Sequence, residues 1–190
     1  MGKKRNIVLC GFMATGKSSV GKKLAELLSY EFVDMDTAIE SEEGVSIPRI
    51  FAERGEPAFR ELESRMVARM MNRTGCVIST GGGAVVNPRN LANLKSCGVV
   101  IALTADIPTI LKRAGRGDDR PLLQAEGRED RVRALLIERA PYYAQADMTI
   151  DTSSMTIEEV ARQISDYFNG RAKCRPARGS RIHNCANPAR

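Results

Sequence analysis

An eight-residue run, "GFMATGKS" at residues 11–18, constrains this chain more than any other feature. It matches G-x-x-x-x-G-K-[ST]. It stands between an apolar run, "NIVLC" (6–10), and a stretch of helical period that places Val20, Leu24, Leu27 and Leu28 on one face. Phosphate oxygens need several donors at short range. A loop with glycine at 11 and 16 can turn its backbone N–H groups toward one anion, and the following helix offers its positive N-terminal end. The predicted nucleotide cradle is therefore Gly11, Met13, Ala14, Thr15, Gly16, Lys17, Ser18 and Ser19. Lys17 would bridge the β- and γ-phosphates, and Ser18 would ligate Mg²⁺. The unbroken apolar run before the loop is the mark of a strand buried on both faces, so the motif also predicts a central parallel strand.

The rest of the chain alternates strand and helix. "EFVDMD" (31–36) is a second strand, with polar helical stretches after it to about residue 54. Residues 56–73 form a helix, with Pro57 in its first turn and Phe59, Leu62, Met66 and Met70 on one face. "CVIST" and "GVVIALTA" are the third and fourth strands, with a helix near 88–96 between them and another from Ile107 to about Ala114. A helix then ends at Pro141, "MTIDT" is a fifth strand, and the last helix carries a T-x-x-E capping box at Thr156 and Glu159, with Gly170 as its stop. This order predicts an α/β fold with a parallel sheet covered on both faces, one domain over residues 1–170. Residues 115–127 break all periodicity, as a functional lid does.

Charge and composition exclude several classes. The net charge of +6 hints at nucleic acid, but its location argues otherwise. Of 29 basic residues, six (Arg171, Lys173, Arg175, Arg178, Arg181, Arg190) lie in residues 171–190, which hold no acid; the other 23 balance the 23 acidic residues. That tail has no apolar period and reads as a disordered basic end. No apolar run approaches the length of a membrane span, and the N-terminal apolar stretch is too short for a signal peptide, so a cytoplasmic protein is expected. Five cysteines without C-x-x-C suggest neither a disulfide framework nor zinc. The single histidine, His183, leaves little room for Ser-His or Cys-His chemistry.

A second glycine cluster poses a question. "STGGGAVV" (79–86) puts Gly81, Gly82 and Gly83 directly behind an apolar run. Glycine there costs backbone entropy and packs nothing, so three in a row imply that something lies against bare backbone.

The phosphate loop alone does not choose among an ATPase, a GTPase and a kinase of nucleotides or other small molecules, although no N-K-x-D stretch is present to read guanine. The whole set does choose. "GFMATGKSSVGKKLA", "FVDMD", "FRELE", "ISTGGGAV", "DDRPLL" and "ERAPYYAQAD", in that order, resemble shikimate kinases from about residue 6 to 168. The resemblance implies a nucleoside-monophosphate-kinase-like three-layer sandwich on a five-stranded parallel sheet. It implies transfer of the ATP γ-phosphate to the 3-hydroxyl of shikimate, with Mg²⁺, by a monomer that binds neither nucleic acid nor membrane. Asp36 would bind the substrate hydroxyls and orient or deprotonate the attacking one, and Asp34 would hold Mg²⁺ through water. Arg60 and Arg139 would grip the substrate carboxylate, with Glu63 holding Arg60. Gly81, Gly82 and Gly83 would offer N–H groups to the substrate, whose ring would take the space of a Cβ. Arg120, in the lid, would meet the transferring phosphate. Arg113 would stack on adenine, with Ser154 and the segment around Asp151 to Met155 completing that pocket. The plainer roles are a helix cap at Asp36 and a solvated Asp34. A gluconate or nucleotide kinase of the same fold, and a non-catalytic binding protein, remain the rivals.

Overall fold

The computed structural model of the protein describes residues 5–114 and 127–173, with Arg128 and residues 171–173 as backbone only. In chain order the elements are β1 (Asn6–Gly11), α1 (Lys17–Leu28), β2 (Glu31–Asp34), α2 (Met35–Glu43), α3 (Ile47–Met70) and β3 (Cys76–Ser79). A 3-10 turn (Ala84–Val86) follows, then α4 (Pro88–Cys97), β4 (Gly98–Thr104), α5 (Ile107–Ala114), α6 (Arg128–Tyr143), β5 (Met148–Asp151) and α7 (Ile157–Lys173). The five strands form one parallel sheet in the order β2-β3-β1-β4-β5.

β1 is buried along its whole length, and its alternate residues feed two different cores. Ile7 and Leu9 pack with Val20 and Leu24 of α1 and with Val160, Ala161 and Ile164 of α7. Val8 and Cys10 pack with Phe59, Leu62 and Met66 of α3, Leu91 and Leu94 of α4, and Tyr143 of α6. This period of two, with apolar residues on both faces, is why the strand reads as a continuous apolar run. Going outward from β1, the chain lays β3 and β2 on one side and β4 and β5 on the other. The carboxyl ends of the strands flanking β1 therefore open a crevice, the place where open α/β sheets hold ligands.

Several boundaries differ from the expectation. β2 stops at Asp34, and Met35 and Asp36 already belong to α2. The helix expected from residue 56 begins after Gly55, whose φ of 77° breaks α3 in two, and ends at Met70. α6 does not end at Pro141 but runs to Tyr143. A proline in that last turn deprives only the Ile137 carbonyl of its partner, on a face where Ile137 is 70% exposed and water can replace the bond. α7 likewise passes Gly170 to Lys173. Gly170 does not take the left-handed φ of a helix-terminating glycine. The one-domain boundary at 170 therefore falls inside a helix, and the rest of the expected disordered tail, residues 174–190, lies outside the described residues. Leu27 is 52% exposed rather than part of the core face of α1; Val20, Leu24 and the half-buried Leu28 form the i, i+4 line under α7. The capping box forms as expected, with Thr156 N donating to Glu159 Oε2 at 2.8 Å and Glu159 N to Thr156 Oγ1 at 3.2 Å. Among the described residues no helix is long and apolar enough to cross a membrane.

Candidate active site

The phosphate loop leaves β1 through Gly11, with φ of 135°, and enters α1 through Gly16, with φ of 96°. Both values are strained for any side chain, and a Cβ on Gly11 would also run into the Leu103 carbonyl of β4. Ala14 takes the left-handed region as well, at φ 60°. The loop is braced from inside: Thr15 Oγ1 and Lys17 Nζ both donate to the Phe12 carbonyl at 2.8 Å. Lys17 is nearly buried, at 9% exposure, so its ammonium is held over the loop rather than left in solvent. Ser19 is exposed at the start of α1.

Ser18 and Asp34 meet across this loop. The Ser18 hydroxyl donates to Asp34 Oδ2 at 2.6 Å, while Asp34 Oδ1 accepts from the amides of Asp36 at 3.1 Å and Thr37 at 3.4 Å. Asp34, not Asp36, thus caps α2. A hydroxyl and a carboxylate side by side form a set of hard oxygen donors suited to Mg²⁺. Among the described residues no group of three or more His, Cys, Asp or Glu is placed to hold a metal by itself.

With the cap supplied by its neighbour, Asp36 is free to face inward. Its Oδ1 is buried and has no hydrogen-bond partner among the described residues. Burial pushes its carboxyl above the ordinary range, Asp34 adds to the rise, and Lys17 opposes it. Across from it, Arg60 donates to Glu63 Oε2 at 3.0 Å and to Glu56 Oε1 at 2.8 and 3.1 Å. Burial works against the charge of Arg60, but Glu63 and Glu56 outweigh it and hold the guanidinium above its usual range. Glu63 is buried, and its carboxyl is pushed up by that burial, with Arg60 opposing the rise. Arg139 comes from the last turns of α6 and stacks over the Phe12 ring of the phosphate loop, 5.8 Å from its centroid. Its buried Nε has no partner among the described residues. Arg60, Glu63, Arg139 and Gly83 line one cavity of about 280 Å³. A somewhat larger one, about 350 Å³, lies between α2 and α3 and holds none of the expected site residues.

The glycine run stands in the middle of this group, and its reason is more specific than a ligand's need for space. A Cβ on Gly81 would lie 2.7 Å from both Asp36 Oδ1 and Glu63 Oε1, and one on Gly83 would lie 2.8 Å from Arg60 Cζ. The protein's own charged side chains occupy the room first. Only at Gly82, where the nearest atom is Arg139 Nη1 at 3.5 Å, does the fold leave ordinary contact distance. The three amides donate no hydrogen bond among the described residues.

On the far side of β1, Arg113 at the end of α5 donates to the hydroxyl of Thr152 at 2.9 Å and to its carbonyl at 2.7 Å. The same hydroxyl lies 3.1 Å from the Thr15 carbonyl in the phosphate loop and 3.0 Å from that of Thr104. Arg113 is thus brought to the segment expected around adenine. Ser154, in the same segment, is exposed, with no contact described to Arg113. Arg120 and lid residues 115–126 lie outside the described residues.

Sequence reasoning gave Glu63 only the part of holding Arg60. The signal that it belongs to the site is its place in the apolar stripe Phe59–Leu62–Met66–Met70, where a carboxylate is buried only if something binds it. Tyr143 and Thr152 carried no such signal, because their partners are 61 and 137 residues away.

Known proteins resemble this chain in sequence and in fold. The sequence model of the shikimate kinase family matches residues 13–169. The chain is 45% identical to a shikimate kinase of Geobacter metallireducens, over 88% of this chain and 93% of that one. It is 48% identical to one from Caldanaerobacter subterraneus subsp. tengcongensis, over 84% and 94%. The solved structure of shikimate kinase from Acinetobacter baumannii in complex with shikimate superposes with a TM-score of 0.85 at 38% identity, covering 88% of this chain and 94% of that one. A gluconokinase from Sinorhizobium meliloti, at 16% identity and a TM-score of 0.60, shares the fold.

Proposed function

The chain belongs to the shikimate kinase family and phosphorylates shikimate at the expense of ATP; we propose that the crevice beside β1 performs the transfer with the following division of roles. The observation that carries the assignment of roles is the convergence of Asp36, Arg60, Glu63 and Arg139 on three glycines whose amides are unspent. Arg60 and Arg139 hold the carboxylate of shikimate, since two guanidinium forks match a planar anion. The ring then lies along Gly81–Gly83 with its 3-hydroxyl toward Asp36. The Asp36 carboxylate takes the hydroxyl proton as the new O–P bond forms and the bond from the γ-phosphorus to the bridging oxygen breaks, releasing ADP. Its raised pKa suits that part, because a base works best when its pKa approaches the working pH.

Lys17 and the loop amides from Gly11 to Ser19 hold the phosphates, and Arg120 of the lid meets the charge that develops during transfer. Arg113 and the segment with Ser154 bound the adenine. Ser18 directly and Asp34 through water would hold Mg²⁺, which neutralises phosphate charge when bound. A cytoplasmic monomer that binds no nucleic acid is the rest of this reading, and the balanced charge of residues 1–170 supports the last of these points. The test is ADP release with ATP and, in turn, shikimate, gluconate and nucleoside monophosphates, with and without Mg²⁺. Turnover should require shikimate and the divalent ion. Faster turnover with gluconate or a nucleotide would overturn the substrate, and Mg²⁺-independent turnover would overturn the part given to Ser18 and Asp34.

A further inference from the structure

The polar backbone of Gly81–Gly83 consists of three carbonyls and three amides, and the fold treats the two sets differently. The Gly81 carbonyl accepts from Ala84 N at 3.3 Å and the Gly83 carbonyl from Val86 N at 3.0 Å. The Gly82 carbonyl, which no local turn satisfies, accepts from the Tyr143 hydroxyl at 2.7 Å. All three acceptors are engaged, whereas none of the three donors is, among the described residues.

The Tyr143 bond does more than satisfy a carbonyl. No peptide here is cis, and in a trans peptide C=O and N–H point in opposite directions. Whatever holds the Gly82 oxygen therefore also sets the direction of the Gly83 N–H. Tyr143 is 5% exposed, in the same core as Cys10 and Phe12. It holds the Gly82 carbonyl from α6, beside Arg139, whose side chain also hydrogen-bonds Tyr143; the N–H of the same peptide then points away from Tyr143, and Gly83 lines the cavity that it shares with Arg60 and Arg139. A peptide between two glycines has little steric resistance to flipping. Flipped, it would present a carbonyl oxygen, which repels an anion, where an amide attracts it. The hydroxyl is suited to the task, since burial pushes it up to about 12 and it stays a neutral donor at any working pH.

We propose that Tyr143 is a positioning residue for the substrate: its hydroxyl locks the Gly82–Gly83 peptide so that the Gly83 N–H joins Arg60 and Arg139 as a third donor to the substrate carboxylate. Arg139 lies one helical turn before Tyr143 on α6, so one turn of helix sets both a guanidinium and the loop that faces it. The inference rests on the carboxylate-binding reading given above.

Tyr143→Phe keeps the ring and removes the hydroxyl. The expected result is a shikimate KM raised about tenfold, equivalent to about 1.4 kcal/mol, with the ATP KM held within about twofold. An analogue with a neutral amide in place of the carboxylate should lose much less than shikimate does. An unchanged shikimate KM, equal rises for both substrates, or an equal loss for acid and amide overturns the inference. Arg139→Ala in the same assay distinguishes the two levels. If it leaves the shikimate KM unchanged, the carboxylate pocket is misplaced and both readings fall; if it raises that KM while Tyr143→Phe does not, only the part of Tyr143 falls. Should the variant not fold, the wild-type enzyme still decides. Its Gly83 amide proton should move downfield in NMR spectra on saturation with shikimate, and a resonance that stays in place overturns the proposal.

Discussion

Two glycine-rich segments lie side by side at the carboxyl ends of β1 and β3, and their glycines are there for different reasons. In the phosphate loop Gly11 and Gly16 have φ values of 135° and 96°, so backbone conformation demands glycine whether or not a ligand is present. Gly81, Gly82 and Gly83 have no positive φ. At Gly81 and Gly83 the demand comes from side chains, Asp36 and Glu63 against one and Arg60 against the other. One loop is shaped by its own dihedrals, the other by what α2, α3 and α6 bring to it. A glycine run therefore reports a need for bare backbone without saying whether conformation, protein or ligand imposes it.

Substitution can separate the three causes, and the largest effect belongs to conformation. Gly11→Ala combines a forbidden φ with a clash against the β4 backbone, where nothing can move aside cheaply. It should cost more than about 3 kcal/mol of folding stability, measured by chemical denaturation. A variant of near wild-type stability would show that the loop relaxes, and the contrast between the segments would vanish.

Asp36→Asn asks what the second segment was cleared for. It should lower kcat by roughly 10²-fold, the scale of a lost base. It should also stabilise the enzyme. The folded protein binds this proton more tightly than the unfolded chain, so wild type loses stability as pH rises from the ordinary aspartate value of 3.8 through the raised folded one. The melting temperature of the variant should therefore exceed that of wild type near pH 7, with the gap closing toward about pH 4. A gap that widens on acidification would mean that Asp36 is stabilised as a carboxylate by partners rather than strained by burial.

Smaller effects belong to the glycines themselves. Gly81→Ala forces Asp36 and Glu63 apart by their flexible ends, so the fold should survive while kcat falls roughly tenfold to a hundredfold, as expected for a misplaced reacting group. An unchanged kcat would free Asp36 from its proposed part. Gly82→Ala is the finest probe, because the protein alone accommodates the methyl at 3.5 Å from Arg139. Stability should change by about 1 kcal/mol or less, and shikimate KM should rise about fivefold with ATP KM unmoved. Such a rise is expected if the ligand approaches Gly82 closely; its absence would confine close ligand contact to the neighbours.

Parts of the site differ in how far the sequence discloses them, and the difference follows range. The phosphate loop is contiguous, its strand and helix flank it, and its glycines sit where local dihedrals require them, so eight residues sufficed. The strands buried on both faces announced the parallel sheet for the same reason. Arg60 with Glu63 was legible as an i, i+3 pair on one helix, and the capping box at Thr156 as a four-residue pattern. Recognition of Asp36 and Arg139 came from family resemblance, since nothing local joins them. Even so, the plainer role of a helix cap, offered for Asp36, belongs to Asp34 two residues earlier, because both can cap and only the end of β2 decides between them.

By itself, then, the sequence determined the phosphate cradle, the alternation of strand and helix, and the identity of the charged groups, because each depends on neighbours within about one turn or one strand. Tertiary structure alone decided that Asp36 is buried beside Lys17, that Glu63 is taken inside with Arg60, that Tyr143 reaches a glycine carbonyl 61 residues away, and that Thr152 ties Arg113 to the phosphate loop. Burial and hydrogen-bond partners belong to the packed sheet and its two helical layers. No stretch of chain carries them, because the atoms concerned meet only when strands far apart in sequence lie 4.7–4.9 Å apart in space.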